Sequence, residues 1–156
     1  MIKIIANFDI GKEYEQMYDA LRRELNMIGG DIRRYIINVL EAAGKKATGD
    51  LINSIEEEVR LELFTSILTV GPNSDAPHAI FVEEDTPPRW VPIAPLKKWA
   101  RDKFGAFGKE KDSIAYAVRW KIHKKGTKGI HFMDQAFAFY NPLIEPKMNA
   151  VISRFL

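Results

Sequence analysis

At 156 residues, 46% hydrophobic and 28% charged, the chain is long enough to bury one real core and too apolar to remain disordered. It has no cysteine, which excludes a disulfide framework, thiolate metal sites and a cysteine nucleophile. Its net charge of +2 is segregated: residues 51–86 hold eight acids against the one base Arg60, a balance of −7, and residues 87–131 hold twelve bases against three acids, a balance of +9.

The isoleucine-rich start predicts a strand over 2–8. It is followed soon by acids and shows no small-residue cleavage signal, so a signal peptide is not expected. Tyr14, Tyr18, Leu21, Leu25, Ile28, Ile32, Ile36, Val39 and Ala43 then recur at steps of three and four. The phase runs through Gly29-Gly30 without a reset, which favours one helix over 11–45; two helices hinged at the glycines are the alternative. Lys45 and Lys46 suit a helix C-terminus, and Gly44 and Gly49 supply stops. Residues 55–63 and 65–70 read as strands, "GPNSDAP" as a loop, and "HAIFVEE" as a third strand with Ile80 and Val82 on one face.

The proline-rich "TPPRWVPIAP" must be an extended connector. A helix is expected over "PLKKWARDKFG", with Pro95 in its first turn and Gly105 past its end. After the loop "AFGKEK", Asp112 or Ser113 is expected to cap a further helix that places Ile114, Ala117, Val118 and Ile122 on one side and stops at Gly126. A loop or short strand and two C-terminal helical pieces follow, split at Asn141-Pro142, the last lined by Leu143, Ala150, Val151 and Phe155. The pattern indicates a single α+β domain over 1–156: a long N-terminal helix packed on a small antiparallel sheet, with inserted helices over 93–125 and C-terminal helices. No apolar stretch approaches the roughly 20 residues that span a bilayer, so no membrane partner is expected.

Three consecutive acids, Glu83, Glu84 and Asp85, raise the question of a carboxylate site. On a strand Glu83 and Asp85 would share a face, where two carboxylates shift each other's pKa. No partnered base, nucleophile elbow or substrate loop accompanies them, so no enzyme is expected and the acids read as a solvated or partner-facing strand end. His78, His123 and His131 lie in no tight ligand spacing, and there is no phosphate-cradling glycine motif; neither a metal nor a cofactor is expected. "RWKIHKKGTKGIHF" interleaves bases with aromatics. Arg119, Lys121, Lys124, Lys125 and Lys128 suit phosphate contacts, a solvated helix face or an acidic protein partner equally well.

Some residues carry a more specific pattern. Thr48, Gly49, Leu51, Ser54 and Ile55 form T-G-x-L-x-x-S-I after the long helix; Val70-Gly71 ends the second strand of a pair; Ala79, Val82, Glu83 and Thr86 occupy a Y-A-x-x-V-E-x-G-T motif. In order and spacing, over roughly residues 12–156, the chain resembles the phage morphogenesis family of head–tail connector, neck and tail-completion proteins of long-tailed phages. It departs from that pattern at His78, where tyrosine is usual, at Asp85, where glycine is usual, and in the inserted helices of 93–125.

The motif residues also have roles of their own. Gly49 is free to take positive φ in a tight turn, Asp50 can cap that turn, Leu51 and Ile55 point inward, Ser54 bonds locally to backbone, and Ala79 suits a close approach of helix and sheet.

The resemblance implies a structural virion protein that forms a ring of six or twelve copies. It would join portal or connector proteins to the tail tube or tail terminator, with DNA passing through the lumen without specific binding. Its location would be the virion neck, after assembly in the host cytoplasm. The expected interface is the acidic strand end and the stretch after it (Glu83, Glu84, Asp85, Arg89, Trp90), mated with Arg119, Lys121, Lys124, Lys125 and Lys128 of a neighbour. The alternatives are a nucleic-acid-binding module using the basic 97–128 segment, or a minor protein elsewhere in the tail.

Overall fold

A computed structural model describes residues 2–7, 15–44, 49–62 and 65–155. The elements in chain order are β1 (Ile2–Asn7), α1 (Glu15–Ala42), α2 (Asp50–Asn53), β2 (Ile55–Glu62), β3 (Thr65–Pro72), α3 (Ala79–Glu83), α4 (Ile93–Phe104), α5 (Gly108–Lys125) and α6 (Phe132–Ile152). The architecture is α+β: a long helix lies on one face of a three-stranded antiparallel sheet of order β1-β3-β2, and the remaining helices follow. No helix among the described residues is long and apolar enough to cross a membrane.

Helix α1 runs unbroken for 28 residues, about 42 Å at 1.5 Å per residue. Its buried stripe is Met17, Leu21, Leu25, Ile28, Ile32, Ile36 and Leu40. Gly29 belongs to that stripe for a steric reason. A Cβ placed there would lie 2.9 Å from Leu68 Cδ1 and 3.4 Å from Glu57 Cβ, so the missing side chain lets helix and sheet approach closely. Gly30 faces open space. One continuous helix is therefore the outcome, with the glycine pair serving contact rather than a hinge.

In β2 the alternation is set by Ile55, fully buried, and by Glu57, whose carboxylate meets Arg33 of α1 at 3.3 Å. Ile55, Glu57 and Val59 thus face the helix, and Glu56, Glu58, Arg60 and Glu62 face away. In β3, Ser66, Leu68 and Val70 are buried beneath α1, and Thr65, Ile67 and Thr69 line the opposite face. The register pairs Glu58 with Thr69 and Arg60 with Ile67. Helix α6 completes the core through Phe132, Met133, Ala136, Ile144, Met148 and Val151. Where α6 meets α1, Tyr35 stacks on Phe139 at 5.4 Å and meets Tyr140 edge-on at 5.9 Å. Burial, followed by the charge of Asp31, pushes the Tyr140 hydroxyl above its ordinary pKa.

Several expectations are corrected. Residues 79–83 form a short helix instead of a strand. The Asn73 carboxamide accepts the Asp75 N–H, and successive turns follow in which Ala79 N–H reaches Ala76 O and Phe81 N–H reaches His78 O, so the chain enters already wound. The third place in the sheet is taken by β1, paired along β3. Helix α5 starts at Gly108, earlier than the expected Asp112 or Ser113 cap, and Asp112 lies inside it, 3.0 Å from Lys97 of α4. Ala115 is buried on α5 while Ala117 is exposed.

The C-terminal segment is one helix carrying Pro142 and Pro146, not two pieces. Both prolines are exposed, on the side away from the buried stripe, so the carbonyls they leave without helical donors face solvent. Leu143, Ala150 and Phe155 are correspondingly exposed, and Ile144 and Met148 take the inward positions with Val151. Asp50 is the first residue of the α2 turn instead of its cap; Gly49 holds the cap position at φ 78°.

Candidate functional site

The hairpin of α4 and α5 is built differently from the rest. None of its residues joins the main core, and its own fully buried side chains are the small Ala100 and Ala115, with Ala106 between the helices. The two helices pack on each other, and Lys103 Nζ donates to Gly44 O at 3.3 Å, just past the end of α1.

The hairpin is fastened at its base. Thr86 and Thr127 exchange backbone hydrogen bonds of 2.8 and 3.1 Å, and their hydroxyls also bond. Ile130 N–H donates to Val82 O at 2.9 Å and His131 N–H to Glu83 O at 3.1 Å. The Glu83 carboxylate accepts the N–H of Met133 at 2.9 Å and of Asp134 at 3.1 Å, so it caps the N-terminus of α6 from another segment and neutralises the positive end of its dipole. Asp85 Oδ1 accepts the Gly129 N–H at 2.7 Å. Two glycines make this possible. A Cβ at Gly126 would lie 2.0 Å from Thr86 O, and one at Gly129 would lie 2.2 Å from Glu83 O.

The acids of 83–85 therefore divide. Glu83 and Asp85 accept hydrogen bonds from within the chain, and Asp85 and Glu84 are exposed. The motif residues fall into two groups. Gly49, Leu51, Ser54 and Ile55 form the bend into β2, with Leu51 and Ile55 buried and Ser54 Oγ donating to Leu51 O at 2.7 Å; Thr48 lies outside the described residues. Gly71 pairs with Glu56 at the end of β3. Ala79 and Val82 pack on the core from one side of α3, and Glu83 and Thr86 form the clamp. The contribution of Gly129 and Thr127 went unseen because the clamp joins segments more than forty residues apart; the closely spaced glycines of "KKGTKGIHF" were its one visible trace.

Folding also brings together Glu83, His131 and Asp134, each with a ligand atom within 4.8 Å of the others. Both Glu83 oxygens already accept helix N–H groups, and a cation there would face the positive end of α6. The trio reads as a helix cap. A shallow polar depression of about 250 Å³ lies beside the bend, lined by Asp50, Asn53, Ser54, Asn73 and Asp75. It has no apolar wall of the kind that holds a small organic ligand.

Large apolar side chains are exposed on α1, α3 and α6 (Met27, Phe81, Phe137, Phe139) and also on the hairpin and its proline connector, where they are interleaved with cations. Lys109, Tyr116, Trp120 and Lys124 are separated by seven, four and four residues and so share one strip of α5. Tyr116 and Trp120 are each 55% exposed and Trp90 is 53% exposed. Cations lie over the rings: Lys97 over Tyr116 at 5.9 Å, Arg119 over Trp90 at 4.9 Å and Lys124 over Trp120 at 5.2 Å. His123 stacks on Trp90 at 3.9 Å. Arg119 also donates to Val91 O at 2.9 Å, and Arg89 sits 4.5 Å from the Phe81 ring, so these two arginines pin the connector rather than reach outward. Lys121, Lys124, Lys125 and Lys128 are exposed. Comparison of the chain with protein-family models, curated proteins and solved structures finds no match.

Proposed function

We propose that the chain is a structural protein of the head–tail junction in a long-tailed phage. In this reading it is a neck or tail-completion protein that assembles as a ring between the connector and the tail and catalyses nothing. The observation that carries the reading is where its motif residues are spent. Each one described shapes the bend from α1 to the sheet, ends β3, packs on the core or clamps the hairpin, and none of them supplies reactive chemistry to an apolar cavity. Such use of residues fits a scaffold whose task is to hold a protruding element at a fixed angle. The exposed basic and aromatic hairpin supports the same reading, because it presents a contact surface on a frame with its own core.

The test is genetic and biochemical. Removing the reading frame from a phage that encodes it should leave filled heads and finished tails unjoined, and adding the purified protein to that lysate should join them. Normal virions without the protein would refute the proposal.

A further inference from the structure

The hairpin strip and the uncovered face of the sheet match each other in length and charge. Glu58 is neutralised within its own row: Arg60 Nε donates to Glu58 Oε1 at 2.9 Å, and that hydrogen bond holds the Glu58 carboxyl below its ordinary pKa. Glu56 accepts from the Asn73 side chain at 2.7 Å but, like Glu62, has no cation within ion-pair distance among the described residues. The row therefore ends in two carboxylates outside ion-pair distance of a cation among the described residues, about 20 Å apart at 3.3 Å per strand residue, with Arg60 acting on Glu62 only at longer range. Lys109 and Lys124 end the hairpin strip about 22 Å apart, at 1.5 Å per helix residue. Between the acids, half-buried Ile67 and Thr69 lie on the sheet face; between the lysines lie Tyr116 and Trp120. No helix packs across that sheet face among the described residues.

We infer that the α5 strip of one copy docks on the outer β2–β3 face of a second copy, with Lys109 and Lys124 against Glu56 and Glu62 and the aromatics over Ile67 and Thr69. Lys109 and Lys124 pair with either acid, since the observations fix the span and not the polarity. The contact is heterologous, strip to sheet, so each copy offers one of each and a closed ring results if the rotation closes. This inference rests on the ring reading above.

Nucleic acid is the other anion that a basic strip attracts. Stacking of bases needs free ring faces. Here the Trp90 face is taken by His123, and Lys97, Arg119 and Lys124 lie over the Tyr116, Trp90 and Trp120 rings. The strip thus offers cations on rings that are already partly covered, which suits carboxylates and methyl groups better than stacked bases.

The experiment uses full-length protein in analytical ultracentrifugation, with circular dichroism to confirm folding. Two double variants are made: K109E/K124E, and E56K/E62K. Each alone should associate roughly tenfold or more weakly than wild type, and wild-type association should weaken with salt. An equimolar mixture of the two should restore assembly, because the reversed strip of one now meets the reversed face of the other. If both variants assemble as well as wild type, the contact is overturned and the ring survives by another surface. If wild type stays monomeric at every soluble concentration, contact and ring reading fall together. If K109E/K124E loses binding to generic duplex DNA while its assembly is unchanged, the strip belongs to nucleic acid and the contact is likewise overturned.

Discussion

The α1–sheet–α6 body and the α4–α5 hairpin are stabilised by different physics. In the body, large aliphatic side chains are removed from water along a continuous seam, from Met17 and Leu21 through Ile36 to Ile144 and Val151. In the hairpin the buried residues are alanines, and the large rings stay half in solvent, covered by cations and by one histidine. The body has the means to stand alone, and the hairpin is held in place by a polar clamp at its base. A chain that puts its large-side-chain burial in the body and leaves the hairpin's cation-covered tryptophans out of it separates folding from contact in that hairpin, although Phe81, Phe137 and Phe139 are exposed on the body as well.

The sharpest way to break the comparison is to cut the seam. Ile36→Ala removes a fully buried side chain between helix and sheet and should cost about 2–5 kcal/mol, the range for such truncations, with the whole body unfolding in one step. The check is chemical denaturation followed by far-UV circular dichroism. Truncating Trp120, which is 55% exposed, should change the same midpoint by no more than about 0.5 kcal/mol.

A clamp substitution comes next. Gly129→Ala sets a methyl 2.2 Å from Glu83 O, so the bonds around that carbonyl must open. The expected cost is about 2–3 kcal/mol, within the range for strained and unsatisfied backbone. Amide hydrogen exchange should then rise at Ile130, His131 and the first turn of α6 while the centre of α1 keeps its protection. Uniform loss across α1 as well would mean that clamp and seam are one cooperative unit.

The parts legible in the sequence were those where one local signal decides the structure. The α1 periodicity outweighed Gly29-Gly30, and the stops at Gly105 and Gly126 stood where helix ends require them. The parts that were not legible depend on partners distant in sequence or on which side faces water. "HAIFVEE" carries apolar residues compatible with either period, and the turns after Asn73 decided for a helix. Pro142 and Pro146 looked like breaks because a sequence does not say that both face solvent. The acceptor roles of Glu83 and Asp85 were not legible because their donors are N–H groups near residue 130. Tyr116 drew no notice in the sequence because its surroundings are set by α4.

A smaller effect is expected at the cap. Glu83→Ala leaves two α6 N–H groups without their acceptor and should cost about 1 kcal/mol, the usual loss for a helix cap. Glu83→Gln keeps one acceptor oxygen and should recover part of it. The difference between the two variants, read from thermal denaturation, separates the hydrogen bonds from the charge that meets the helix dipole.

The largest deletion should still have only a small effect on stability. Thr86 and Thr127 are bridged, so the connectors enter and leave the hairpin side by side. Replacing residues 90–124 with a short Gly/Ser linker removes the strip, Trp90, Trp120 and the cations over them, but no member of the main core. The linker shortens the loop that the clamp must close, which by loop entropy favours the clamp by a few tenths of a kcal/mol up to about 0.6 kcal/mol per halving of length. The denaturation midpoint of the body should therefore shift by less than about 1 kcal/mol in either direction, while self-association is lost. A large fall in stability would show that the hairpin braces the body, and the separation of folding from contact would then be wrong. Retained self-association would leave that separation intact and move the contact surface onto the body.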